Sequence, residues 1–212
     1  MKLQETQNNL ELLADLSWEL QQALIAPPKK QLKRPKVYLF LSPESRDSLK
    51  GRSKEEIEFV HDQQARGGGA CLRRRPMAYV SKVEQGVEES AHLFALIYKQ
   101  EGYSDFVHDE EELGNTILHE AYARFIHGMF FGSYRRPTSR TPYTGRKLTP
   151  TKIWQFGHRE GFFLGEALCY ALLEEKISII QIRKWFWQNW RSYEIAVSLR
   201  NLYRITKVPS FF

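Results

Sequence analysis

Leu10, Leu13, Leu20 and Leu24 recur at helical spacing within residues 5–26, with Leu16 close to the same stripe. That period predicts an amphipathic helix, and Pro27 and Pro28 end it. A basic linker runs to Pro35. Lys36 to Leu41, KVYLFL, is a β-rich apolar run that reads as a buried strand. Ser42-Pro43-Glu44-Ser45 is turn chemistry. Residues 53–65 read as a helix with Ser53 as N-cap and Glu56 three residues later, the spacing of a capping box. Gly67-Gly68-Gly69 breaks the chain, and Met77 to Val83 alternates weakly as a second strand.

Helical patterns then dominate. One helix covers 86–100. A second opens at Asp109, with Glu112 completing a capping box, and runs to about Phe131. A loop spans 132–148. Thr149-Pro150 starts a third helix, from about 150 to 175, with proline at its favoured first position. Residues 178–191 form a short aromatic helix and 192–205 a last one. The expected class is α+β: a small N-terminal sheet followed by a helical half. The expected organisation is an N-terminal helix with its basic linker over 1–35, a core over 36–177, and aromatic helices over 178–212 packed on that core.

The 212 residues are 42% hydrophobic and 26% charged, a composition that supports a packed core and argues against disorder. An apolar run of roughly 18 residues, the length of a membrane span, does not occur. The N-terminus mixes acids with its apolar residues, unlike a signal peptide. Cys71 and Cys169 are too few for a disulfide framework or a Cys-rich zinc site, so a cytoplasmic setting is expected.

Lys+Arg exceeds Asp+Glu, giving a net charge of +6. The bases cluster: Lys29, Lys30, Lys33, Arg34 and Lys36; Arg73, Arg74 and Arg75; and Arg135, Arg136, Arg140, Arg146 and Lys147. Such groups suit phosphate contacts. Each lies beside Pro or Gly and no nucleic-acid motif accompanies them, so solvated loops are the favoured reading.

Residues 115–128 read NTILHEAYARFIHG. An apolar run entering His-Glu on a helix resembles the active helix of the zincin metallopeptidases, whose HExxH motif sets two imidazoles on one helical face. His119 and Glu120 occupy its first two positions, but Ala123 stands where the second histidine belongs. His127 shares the face eight residues on, roughly 12 Å along the axis. Downstream, HREGFFLGEALCYALL over 158–173 resembles the third-ligand helix of the gluzincin subgroup. Glu160-Gly161-Phe162 fits best and Glu166-Ala167-Leu168 less closely. The resemblance covers about residues 36–175. It implies a peptide substrate, Zn²⁺, Glu120 as general base, and Glu160 or Glu166 as third ligand. A three-ligand variant would use His119 with His158 and Glu160 or Glu166. With position 123 altered, the favoured member is one whose former active-site groove holds a peptide or protein partner.

The helical wheel supplies a plainer alternative. Leu113, Ile117, Ala121 and Phe125 share one face, with Leu118 and Tyr122 beside them; His119, Glu120, Ala123 and His127 fall opposite, as on any surface helix. Glu89 and His92 form an ExxH pair of the di-iron type, but no second pair occurs. Gly67–Gly69 lacks the GK[ST] of a P-loop. Cys169 reads as a core thiol. Cys71 adjoins three arginines, which lower a thiol pKa. Trp185, Phe186, Trp187 and Trp190 give the aromatic helix apolar surface nearly all round, suited to packing or an interface. The terminal Phe211-Phe212 should dock on the body or a partner. The competing class is therefore a basic interaction or nucleic-acid-binding protein with no catalytic site.

Overall fold

The computed structural model describes residues 2–25, 33–40, 42–72, 76–99, 110–133 and 150–187. The architecture is α+β and mostly helical, and the chain divides into two compact units, Met1–Glu101 and Gly102–Phe212.

Unit 1 contains α1 (Lys2–Leu24), β1 (Val37–Leu39), α2 (Pro43–Ser48), α3 (Lys54–Ala65), β2 (Gly69–Leu72), β3 (Met77–Val80) and α4 (Gln85–Lys99). The sheet order is β1-β3-β2, with β1 parallel and β2 antiparallel to β3. Tyr38, Ala70, Leu72, Met77 and Tyr79 meet Leu49, Phe59 and Val60 in one apolar cluster that includes Phe40. Tyr38 and Phe40 both stack on Tyr79. Strand side chains alternate between faces, so Val37, Leu39, Ala78 and Val80 are buried on the opposite face, where α4 packs.

The edge of β1 is covered by a side chain. Gln7 Nε2 donates to the Val37 carbonyl and Gln7 Oε1 accepts from the Leu39 amide, both at 3.0 Å. One amide thus does what a neighbouring strand would do for an exposed edge. α1 also belongs to this unit through α4: Trp18 meets Phe94 edge-on, and Ser90 Oγ donates to the Ala14 carbonyl.

Three local readings are refined and a fourth holds. α1 is helical as expected, but its buried face is Leu10, Ala14, Ser17, Trp18, Gln21 and Ile25; Leu16 is exposed, and Leu13, Leu20 and Leu24 are half-buried. Ser42 is an N-cap rather than a turn residue. Its hydroxyl accepts from the Ser45 amide, and Pro43 opens α2. The glycine triplet does break the chain, with Gly67 at φ 68°, but Gly69 already begins β2. A Cβ there would lie 2.1 Å from Glu89 Oε1, so the glycine leaves room for that carboxylate where it stands. The Ser53–Glu56 capping box forms as expected.

Unit 2 contains α5 (Glu110–Phe131), α6 (Pro150–Leu173) and α7 (Ile179–Trp187). α6 ends in a Schellman arrangement: Glu175 takes φ 54°, its amide donates to the Leu172 carbonyl, and the Lys176 amide donates to that of Ala171. Ser178 and Gln181 then cap α7 reciprocally. Asp109, most of the 132–148 loop, Trp190, the 192–205 helix and the terminal phenylalanines lie outside the described residues, as do the side chains of Trp185, Phe186 and Trp187. No helix among the described residues is long and apolar enough to cross a membrane.

Candidate functional site: the α5–α6 pair

Three glycines, Gly157, Gly161 and Gly165, recur every fourth residue of α6, which aligns them on one side of a helix. A Cβ on Gly161 would lie 2.4 Å from Glu120 Cβ and 2.7 Å from the Ile117 carbonyl oxygen. One on Gly165 would lie 2.6 Å from the Ala121 carbonyl oxygen and 2.6 Å from Arg124 Cβ. On α5, Gly128 faces the Cys169 thiol, 2.7 Å from a would-be Cβ. The two backbones therefore touch. Position numbers rise together along both helices, so the pair is parallel.

Both faces of α5 are buried. Ile117, Ala121 and Phe125 are buried as the wheel predicts, but so are His119, Glu120 and Ala123, so the reading of an exposed polar face is overturned. α6 packs on the side of Ile117, Glu120, Ala121 and Arg124, where the missing side chains at Gly161 and Gly165 admit it.

Ionisable groups collect along the seam. His158 Nδ1 lies 3.0 Å from Glu120 Oε2; the imidazole is 35% exposed and the carboxylate 8%. One turn on, Arg124 Nη2 donates to Glu166 Oε1 at 2.7 Å. The same guanidinium lies 4.1 Å from the Phe162 ring centre, and its Nη1 is 3.2 Å from His127 Nδ1. Its Nε is buried with no hydrogen-bond partner. Burial holds the His127 pKa below the usual range for histidine, and the Arg124 charge adds to the effect. Burial pushes the Cys169 thiol up to about 12. This thiol donates to the Phe125 carbonyl and is a core group, as its apolar surroundings predict.

The residues singled out by the metallopeptidase resemblance are all in unit 2, and they divide. Glu120 and His158 meet. His119 and Glu160 are buried, Glu160 with Arg159 Nε at 3.4 Å. Glu166 is held by Arg124. No three of His119, Glu120, His158, Glu160 and Glu166 bring ligand atoms within 4.8 Å of one another. Tetrahedral zinc needs its ligand atoms at about 2.0–2.3 Å from one centre, so these residues, placed as they are, do not fit that ion. His127 contacts Arg124 and Phe131, whereas His158 is the imidazole beside the His-Glu motif.

In unit 1, the ExxH reading shifts by one residue. Glu89 is buried against Gly69, and the carboxylate that brings a ligand atom within 4.8 Å of one on His92 is Glu88. His92 is half-buried rather than turned out. The basic clusters contribute few described groups. Lys33 and Lys36 are exposed, but the Arg34 guanidinium is buried between Glu11 and Asp15.

Arg124 escaped the sequence reading because it interrupts an apolar run without completing any motif. The four-residue glycine spacing in α6 was a visible signal for close helix contact. Comparison with family models, with curated proteins and with solved structures finds no match.

Proposed function

We propose that the α5–α6 pair is an acid–base centre of the hydrolase type, a zincin-like arrangement with an altered site, acting on or holding a peptide ligand. The contact between Glu120 and His158 Nδ1 carries this reading. A carboxylate at Nδ1 keeps the proton on that nitrogen and leaves Nε2 as the basic atom.

Glu120 then orients a histidine, and the general base is His158. In a hydrolytic step His158 Nε2 takes a proton from water while the water oxygen bonds to the scissile carbonyl carbon. The protonated ring then returns that proton to the departing amine as the C–N bond breaks. A carboxylate behind the ring stabilises the imidazolium formed between those events. The peptide class rests on the motif resemblance alone.

The test is turnover of a mixed peptide library by the full chain across pH 5–9. His158→Gln should abolish cleavage, and Glu120→Gln should lower kcat by about 10²–10⁴-fold, as expected when the wrong tautomer is stabilised. Cleavage unaffected by His158→Gln rejects the assignment. Peptide binding without cleavage, lost in the same variants, would place the protein among binding members of the class.

A further inference from the structure

α1 carries apolar surface that unit 1 does not use. Leu12 is 58% exposed and Leu16 is 45% exposed, and Leu13, Leu20 and Leu24 are half-buried. At 100° per residue these five leucines occupy one arc of the helix, away from the buried face centred on Leu10, Ala14 and Gln21. Glu11, Asp15 and Glu19 follow one another at four-residue spacing along one flank of that arc. Between Leu3 and Ile25 the chain has Glu5, Glu11, Asp15 and Glu19 and no lysine or arginine.

We propose that this face of α1 docks a basic amphipathic helix of a partner protein, its apolar side chains on the leucine arc and its Lys or Arg beside the acidic row. Charge selects the occupant. A second copy of α1 packed antiparallel would bring like-charged rows together, which is repulsive, and one packed parallel would leave the acidic row without a basic partner. The anionic surface of a membrane leaflet would repel the same acids. The chain itself shows the complementary contact: Arg34 folds back on Glu11 and Asp15, and its side chain is only 7% exposed there. Glu19, the next acid along the row, is exposed. An apolar stripe flanked by charge of one sign is the form in which grooves and faces receive helical peptides.

The probe is a synthetic amphipathic peptide of about 20 residues, long enough to hold a helix on binding, with leucine on one face and lysine on its flanks. A second peptide has glutamate in place of every lysine. Fluorescence anisotropy with the full chain should show binding of the lysine peptide and at least a tenfold weaker response to the glutamate peptide. Glu19→Lys should reduce this preference severalfold, and Leu16→Asn should weaken binding by roughly tenfold, the order expected for removing a central apolar anchor. Both positions are exposed, and circular dichroism confirms that each variant folds. Equal binding of the two peptides, or no effect of either substitution, overturns the proposal. So does a concentration-dependent dimer that Leu16→Asn dissociates, which would make the face a self-association surface.

Discussion

The two units bury polar groups in different ways. In unit 1 most of them are amides and hydroxyls that bind backbone atoms: Gln7 at the edge of β1, Ser17 on the Val87 carbonyl, Ser90 on the Ala14 carbonyl. In unit 2 they are ionisable: Glu120 with His158, and Glu166 with Arg124. Neutral groups lose little on burial once bonded, whereas charged ones need a partner held in place. The helix contacts differ to match. At Gly86 in unit 1 the nearest obstacle to a Cβ is Leu10 Cδ1, the end of a buried side chain rather than backbone. At Gly161 in unit 2 the obstacles include the Ile117 carbonyl and the Ala121 amide of α5. Rigid backbone contact fixes the side-chain roots of the Glu120–His158 and Glu166–Arg124 contacts, and such fixed geometry is what an acid–base centre requires.

Gly161→Ala tests that difference hardest. The added carbon cannot be accommodated without moving α5, and a loss of about 3 kcal/mol is expected, at the upper end for overpacking. Gly86→Ala should cost about 1–2 kcal/mol, because only the end of the buried Leu10 side chain must shift and alanine favours the helix. Urea midpoints of the two variants decide the matter. Equal losses would mean that the α5–α6 contact yields as easily as a side chain.

Breaking one partner of each kind of buried contact comes next. Glu166→Ala strands the Arg124 guanidinium and should destabilise by about 3 kcal/mol. Gln7→Ala leaves the Val37 carbonyl and Leu39 amide unbonded and should cost about 1–2 kcal/mol. If Gln7→Ala costs as much as Glu166→Ala, the contrast between neutral and charged burial fails as an account of the two units.

Much of this frame is legible in the residue pattern, and its failures have specific causes. Helix positions follow from periodicity and caps, as at Ser53 and Pro150. The buried face of α1 does not, because a stripe search counts leucines. The buried side uses Ala14, Ser17 and Gln21, small or hydrogen-bonded residues that fit one particular neighbour. β2 is hidden by Gly69, which breaks a pattern yet belongs to a strand because Glu89 needs the space. The burial of Glu120 depends on α6 approaching to backbone contact at Gly161. His158 is visible as an imidazole two residues before Glu160, but its bond to Glu120 joins separate helices, a pairing that no local spacing encodes.

A smaller effect sharpens the capping logic shared by the two units. Ser53→Ala removes the hydroxyl that accepts the Glu56 amide in unit 1, and Ser178→Ala removes the one that accepts the Gln181 amide in unit 2. Each should cost about 1 kcal/mol. Hydrogen exchange at the first turn of α3 or α7 should rise accordingly, and an unchanged rate would show that the cap is not what holds that turn.

The smallest expected effect is the pH response of His127. Burial and the neighbouring Arg124 charge place its folded-state pKa below the unfolded value of about 6.5. Between those two values the unfolded chain binds the extra proton, so stability falls as pH drops. The contribution is fully present above the unfolded pKa and is lost as pH falls through the folded one. Wild type should therefore lose stability relative to His127→Gln between pH 7.5 and pH 5. Arg124 faces the ring on its own helix and Glu166 faces Arg124 from α6, so protonation sets imidazolium against guanidinium while the Glu166 carboxylate softens the repulsion. A difference that stays flat over this range would mean that His127 moves away from Arg124 on protonation, and that this end of the helix pair is less rigid than the glycine contact.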